Sequence, residues 1–251
     1  MVNFVGAGCG AADLITVRGM KLLQNADVII YAGSLVNPEL LEYAKSTCEI
    51  HNSAYMTLDE VISVMEKAER EGKMTIRLHT GDTSLYGAVR EQFDRLEHLN
   101  IPYKICPGVS SFCGAAAALR AEYTLPDVSQ TVIITRRSGR TKVPQKESIQ
   151  SLAKHRATMV IFLSTSMLEE LSKELIEGGY SPDTSSAIVY KASWEDEKIC
   201  RCTVENLAQT AVENNIKKTA LICVGDFLGN DYSLSKLYDK TFETEFRKAE
   251  L

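Results

Sequence analysis

Val2-Asn3-Phe4-Val5-Gly6-Ala7-Gly8-Cys9-Gly10-Ala11-Ala12-Asp13-Leu14 opens the chain with an apolar run, a glycine-dense bend and the first residues of an amphipathic segment. Val2 to Val5 is short and continuously apolar, the pattern of a strand buried on both faces. Helical spacing follows from Leu14 to Leu23. Strand, tight turn and helix in succession set an α/β reading, and the residues downstream extend it. Asp27 to Ala32 is a second strand candidate. Thr57-x-x-Glu60 forms a capping-box pattern, after which Leu58, Val61, Ile62, Met65 and Ala68 share one helical face ending at Gly72. Met74 to Leu78 returns as a strand. Asp82 stands at the expected start of a helix carrying Leu85, Val89, Phe93 and Leu96. Tyr103 to Cys106, Pro107-Gly108 and an alanine-rich helix from Ser110 to Arg120 follow.

A polar, proline-containing passage from Glu122 to Gln130 divides the sequence, and the pattern then restarts. Thr131 to Thr135, Thr158 to Leu163, Ser186 to Tyr190, Lys198 to Cys202 and Ala220 to Val224 are strand candidates. Ser166-x-x-Glu169 is the expected cap of a helix with Leu168, Leu171 and Leu175 that stops at Gly178-Gly179. Val204, Leu207, Ala211 and Val212 mark another helix. The expected architecture is two α/β domains, 1–121 and 122–251, with mostly parallel or mixed sheets and a ligand cleft between them.

Composition narrows the function classes. The 251 residues are 45% hydrophobic and 24% charged, an ordinary globular balance. Lys plus Arg number 28 against 33 Asp plus Glu, for a net charge of −5, so nothing global draws the chain to nucleic acid or anionic membranes. No apolar run nears the roughly 20 residues that span a bilayer, and the first residues lack the layout of a signal peptide. A cytoplasmic protein is expected. The seven cysteines contain no Cys-x-x-Cys pair and the four histidines are scattered, so no protein-bound metal is expected. Met159 and Met167 read as core fillers.

Gly6-x-Gly8-x-x-Ala11 satisfies the dinucleotide fingerprint, whose glycines let a backbone approach a pyrophosphate. An NAD-dependent oxidoreductase would also place an acid at the end of the second strand to hold ribose hydroxyls. Here that strand ends Ile30-Tyr31-Ala32-Gly33, and Asp27 lies at its start. Two readings stand beside it: the glycines only make a turn, or they bend around a different ligand. Thr80-Gly81-Asp82-Thr83 also follows a strand. There Gly81 admits a close backbone approach, while Asp82 offers a carboxylate to an amine or a ribose hydroxyl, or simply caps a helix. Pro107-Gly108-Val109-Ser110-Ser111 is a third strand-to-helix bend. Cys9 has no sequence neighbour that would activate its thiol.

Taken together, Gly6-Ala7-Gly8-Cys9-Gly10 with Asp13-Leu14-Ile15-Thr16, Thr80-Gly81-Asp82 and Pro107-Gly108-Val109-Ser110-Ser111 resemble the tetrapyrrole methylase family over nearly the whole chain. Four longer strings resemble the branch that methylates C11 of precorrin-4 or cobalt-precorrin-4 in cobalamin biosynthesis. They are Tyr31-Ala32-Gly33-Ser34-Leu35-Val36, Gly81-Asp82-Thr83-Ser84-Leu85-Tyr86-Gly87, Thr135-Arg136-Arg137-Ser138-Gly139-Arg140-Thr141 and Tyr190-Lys191-Ala192-Ser193-Trp194.

The resemblance implies S-adenosyl-L-methionine as methyl donor, a homodimer and a cofactor folded between two domains. By position it implies cofactor contacts at Gly8, Cys9, Thr80, Gly81, Asp82, Leu85, Ser110, Ser111, Leu163, Ala192 and Ala220. Many family members have proline where this chain has Cys9. Asp82 and Tyr86 are the candidate catalytic groups if a proton must leave the substrate, with His79 nearby but more naturally structural. A macrocycle bearing acetate and propionate arms needs local positive charge, which Arg136, Arg137 and Arg140 supply, with Lys142 beside them. No aromatic lies among those basic residues to stack a nucleic-acid base. Trp194 is expected either in the core or as a wall of the cleft. The other functional readings are a methylase for a different ring carbon and a tetrapyrrole-binding protein that transfers nothing.

Overall fold

The computed structural model describes residues 1–33 and 35–249; Ser34 of the Tyr31–Val36 string lies outside the described residues. The chain forms two compact units, Met1–Ala115 with Lys191–Glu197, and Ala116–Tyr190 with Lys198–Leu251.

In the first unit β1 (Val2–Gly6), β2 (Val28–Tyr31), β3 (Glu49–Asn52), β4 (Thr75–His79) and β5 (Tyr103–Cys106) form one wholly parallel sheet in the order β3-β2-β4-β1-β5. Every residue of β1 and β4 is buried, as expected where helices cover both faces of a parallel sheet. Period-two alternation sorts the side chains. Val5, Ile29, Ile76 and Leu78 join Leu23 of α1 (Val17–Asn25) on one face. Phe4 and Ile30 meet Val61, Ile62 and Met65 of α2 (Leu58–Arg70) and Leu96 of α3 (Arg90–His98) on the other. Phe4, Ile30, Met65 and Leu96 are fully buried, each contributing about 1.5–3 kcal/mol of apolar transfer. The capping box forms as the sequence suggests, with Thr57 Oγ1 accepting from Glu60 N and the Glu60 carboxylate accepting from Thr57 N.

The second unit carries a mixed sheet in the order β6-β7-β10-β8-β9. Its strands are β6 (Val132–Arg136), β7 (Thr158–Phe162), β8 (Ser185–Tyr190), β9 (Lys198–Thr203) and β10 (Ala220–Val224), and only β6 and β7 run parallel. Before it comes α4 (Ser111–Leu119), and the division between the units falls within that helix. Met159, Ile161, Ile188 and Ile222 pack against α5 (Ile149–Ala153), α6 (Leu168–Gly178) and α7 (Leu207–Glu213). Met159 fills the core as expected. Met167 does not belong to that cluster, and its Sδ lies 3.4 Å from Arg137 Nη1.

Four local expectations are corrected. No helix begins at Asp82: α3 starts at Arg90, because Tyr86 and Ala88 take left-handed backbone angles (φ +54° and +48°) that a helix cannot contain. Asp82 is therefore not a helix cap. α1 starts at Val17, where the Thr16 side chain caps it, rather than at Leu14. Ser166 lies inside a short 3-10 turn and caps nothing; Met167 precedes α6 without a side-chain cap. Val204 precedes α7 and packs in the core from outside it.

Candidate functional site

Strand order decides which turns meet. β1 lies between β4 and β5, with Gly6 beside His79 and Val5 beside both Leu78 and Cys106, so three bends leave neighbouring strand ends together. In an open parallel sheet this carboxyl edge is where ligands bind. Gly8 N donates to Gly81 O at 3.2 Å and Gly81 N to Gly8 O at 2.9 Å, a reciprocal bridge between the first and second bends. The third closes on both. A Cβ on Gly6 would stand 2.6 Å from Gly108 N and from Gly81 O, and one on Gly108 would stand 2.3 Å from Gly81 O. No side chain fits there, so the glycines are required by backbone contact rather than by turn geometry alone.

Asp82 fastens this junction. Its Oδ2 accepts from Gly108 N at 2.8 Å, and its Oδ1 accepts from Ser84 N at 2.9 Å and from Ser84 Oγ. Partial burial pushes the carboxyl up, but the hydrogen bonds from Ser84 Oγ, Gly108 N and Ser84 N outweigh it and hold the group below the usual carboxylate range. A carboxylate so held is a weak proton acceptor. Asp-x-Ser is a recognisable Asx-turn pattern, and Ser84 could have been singled out on that ground. Tyr86 is exposed on the same 82–89 segment, and Leu85 N donates to Asp82 O at 3.4 Å. Ser110 is buried before α4; its Cα and Ser111 N lie 3.5 Å from where a Gly81 Cβ would stand.

The 191–197 segment completes the first unit's site. Ser193 Oγ accepts from Ala11 N at 3.0 Å and lies 3.4 Å from Cys9 Sγ, and Ser193 N donates to the Glu197 carboxylate at 2.6 Å. Ala192 is buried beside Gly114, and Gly10 faces the Trp194 indole edge. Trp194 therefore lies against the first glycine bend, with Lys191 Nζ 5.2 Å from its ring centre. Ser193 was visible in the sequence only as part of a longer string.

Gly8, Cys9, Thr80, Gly81, Asp82, Leu85, Ser110, Ser111 and Ala192 thus share the first unit, whereas Leu163 and Ala220 belong to the second. Leu163 follows β7 and stands opposite Ala220 if the β7–β10 register is continued by two residues from Ile161 and Ile222. Thr165 Oγ1 donates to Ala220 O at 3.2 Å. The basic stretch of the second unit is partly engaged. Arg136 donates through Nη1 and Nη2 to the carbonyls of Thr141 and Lys142, drawing its own loop together. Arg137 pairs with Glu174 Oε1 through Nε at 3.1 Å and Nη2 at 2.7 Å. Arg140 is exposed and has no ion pair among the described residues.

His79 is unsuited to proton transfer. Burial, with the Arg77 charge added, pushes its imidazole down to about 3, and Phe4 stacks on it at 6.1 Å. Among the described residues no group of three or more His, Cys, Asp or Glu side chains is placed to hold a metal ion. The nicotinamide reading also loses its geometry. β4 separates β1 from β2, so an acid at the end of β2 would stand about 9–10 Å away, two strand spacings from the glycine bend. The arrangement instead provides a cradle of backbone polar groups, small residues and one fixed carboxylate.

Comparison with known proteins agrees with that description. Residues 1–208 match the model of the Tetrapyrrole (Corrin/Porphyrin) Methylases. A Methanocaldococcus jannaschii protein, cobalt-precorrin-4 C(11)-methyltransferase, is 57% identical over 249 residues, 99% of this chain and 96% of that protein. The X-ray structure of a cobalamin biosynthetic enzyme, cobalt precorrin-4 methyltransferase, superposes with a TM-score of 0.89 at 47% identity, covering 91% of this chain and 96% of that one. Uroporphyrin-III C-methyl transferase from Thermus thermophilus, solved with S-adenosylhomocysteine, shares the fold at a TM-score of 0.76 and 23% identity, over 90% and 92% of the two chains.

Proposed function

The chain belongs to the tetrapyrrole (corrin/porphyrin) methylases, and we propose that it methylates C11 of precorrin-4 or its cobalt form with S-adenosyl-L-methionine, in cobalamin biosynthesis. The observation that carries the donor is the junction of three glycine bends. Backbone groups at Gly6, Gly81 and Gly108 stand in mutual contact, Gly8 is bridged to Gly81, and neither Gly6 nor Gly108 has room for a side chain. Such a cradle suits a nucleoside ligand held by backbone amides and carbonyls, with its polar groups near the Asp82 carboxylate.

The sulfonium supplies an already activated methyl group. The macrocycle carbon brings the electron pair for the new C–C bond, while the S–C pair stays on sulfur as a neutral thioether. What the residues must do is orient and exclude water, and positioning alone can contribute effective molarities of about 10⁵ M or more. Gly8, Gly81 and Gly108 fix the floor, Asp82 holds the second bend to the third, and Ser193 ties the 191–197 segment to the first. Asp82 acts as a positioning group. Tyr86, exposed at the edge of the same segment, is the candidate to receive or direct a proton. Arg140 meets acid arms of the substrate, with Arg136 and Arg137 shaping the loop that presents it.

The cobalt form is the favoured substrate because the M. jannaschii relative and the solved methyltransferase both carry that name. A cytoplasmic homodimer is part of the same reading, and no helix among the described residues is long and apolar enough to cross a membrane. The test is to supply precorrin-4 and cobalt-precorrin-4 separately with the methyl-labelled donor and locate the label by carbon NMR. Label at C11 is expected. Label at another ring carbon overturns the position, and binding of the pigment with no transfer overturns the activity.

A further inference from the structure

A separate cavity of about 230 Å³ lies in the first unit at the carboxyl ends of β2 and β4, against the first turns of α2 and α3. Arg77 and His79 line it, two residues apart on β4 and therefore on one face of the strand. Arg77 is only 6% exposed, yet no carboxylate pairs with it among the described residues. Its Nε donates to Gln92 Oε1 at 3.0 Å and its Nη1 to Ile30 O at 3.2 Å, which fixes the guanidinium plane; Nη2 makes no hydrogen bond among the described residues. His79 is 4% exposed, and its Nε2 has no hydrogen-bond partner there either. Glu91 stands at the rim, exposed and without an ion pair to Arg77.

A guanidinium taken out of water without a counter-charge costs several kcal/mol, and an unpartnered buried imidazole nitrogen adds to that. Both residues line the same small cavity. Burial lowers Arg77 only to about 10, so it stays a cation at neutral pH, whereas His79 stays neutral. One positive charge beside one neutral ring nitrogen matches a monoanion with two acceptor oxygens rather than a dianionic phosphate. The cavity also communicates with the site already described. Gln92 Nε2 donates to Ala88 O at 3.0 Å, so the residue that orients Arg77 also holds the 82–89 segment carrying Asp82 and Tyr86.

We propose that the Arg77–His79 cavity is a carboxylate subsite that receives one acid side arm of the macrocycle and so sets its register against the 82–89 segment. The proposal rests on the tetrapyrrole reading for its occupant, and on the cavity alone for its chemistry.

The full-length protein is titrated with propionate, and with propionamide as the uncharged control, while the His79 ring is followed by nitrogen-edited NMR and assigned with His79→Gln. Propionate is expected to shift the His79 resonances saturably in the millimolar range, and propionamide is expected not to. In turnover, propionate should compete with the tetrapyrrole and leave S-adenosylhomocysteine affinity unchanged. Arg77→Gln should raise the tetrapyrrole KM about tenfold or more, roughly 1.4 kcal/mol, with kcat changed far less. Should that variant not fold, the wild-type competition still decides. No His79 shift overturns the subsite, and a shift without competition overturns its occupant. Propionate binding in a protein that methylates no tetrapyrrole overturns the proposed function and leaves the carboxylate site standing.

Discussion

The Asp82 carboxylate accepts the Gly108 amide at 2.8 Å across 26 positions of sequence, fastening the bend after β4 to the bend after β5. A charge-assisted hydrogen bond of this kind contributes about 1.5–3 kcal/mol. Asp82→Ala should therefore weaken S-adenosylhomocysteine binding about tenfold or more, because the Gly81 and Gly108 bends lose their link and Ser84 loses its turn. Titration calorimetry on the variant measures this, and unchanged affinity would remove Asp82 from the cradle. The same hydrogen bonds depress its ionisation, so its contribution to stability is present above the ordinary carboxylate value near 3.8 and is lost as pH falls through its lower native value. Asp82 should add no ionisation to the rate profile between pH 5 and 8.

His79, the last residue of β4, loses stability in acid in the same direction but over a higher and wider pH range. Its native value of about 3 lies below the ordinary 6.5, so between those values the unfolded chain binds a proton that the folded chain refuses. Acid then favours unfolding: stability falls as pH drops from about 6.5 toward 3, by up to about 4–5 kcal/mol at 1.36 kcal/mol per unit. Urea midpoints measured from pH 7 to 4 should drop more steeply for the wild type than for His79→Leu. Parallel lines would show that the imidazole is not sequestered.

Gly6 carries no side chain because two backbones occupy the place where one would go. A Cβ there would stand 2.6 Å from Gly108 N and Gly81 O, atoms of the other two bends that cannot swing aside as a flexible side chain does. Gly6→Ala should therefore cost several kcal/mol of stability, more than typical single substitutions, and abolish cofactor binding in whatever fraction remains folded. Gly72→Ala is the control, since no atom lies within 4 Å of the added carbon and only its left-handed backbone (φ +67°) opposes it. Thermal melts of the two variants, with S-adenosylhomocysteine titration of each, separate crowding at the junction from generic loss of glycine.

Much of this was legible because burial writes itself into composition. The apolar runs at Val2, Asp27, Met74, Thr158 and Ala220 all lie in sheet cores, and the Thr57 cap with its helix face is local chemistry that needs no partner. β3 escaped because Glu49 and Ile50 are exposed at a sheet edge, so no apolar period marks it. The helix expected from Asp82 had the right spacing at Leu85, Val89, Phe93 and Leu96. Helical spacing does not reveal that Tyr86 and Ala88 are held in left-handed angles. The bends themselves were visible as glycines. Their convergence was not, since it depends on β4 and β5 flanking β1, an order fixed by long-range pairing. Arg136 and Arg137 read equally as free cations, and only the fold shows their guanidiniums engaged by loop carbonyls and by Glu174.

That last distinction separates the arginines experimentally. Arg137 is partly buried and bound twice to Glu174 Oε1, so Arg137→Gln leaves that carboxylate without its cation and should lower the melting temperature. Exposed pairs are worth about 0.2–1 kcal/mol, and this partly buried one should lie toward the top of that range. Arg140 touches no acid among the described residues, and Arg140→Gln should leave stability within about 0.5 kcal/mol, as surface substitutions generally do. On the proposed reading its effect should appear instead as a higher KM for the tetrapyrrole with cofactor affinity unchanged, because an exposed, unpaired guanidinium would be free to pair with the substrate's acid arms. Steady-state kinetics beside thermal melts for both variants gives the comparison. If Arg140→Gln changes cofactor affinity more than the tetrapyrrole KM, the 136–142 loop belongs to the cofactor and not to the macrocycle.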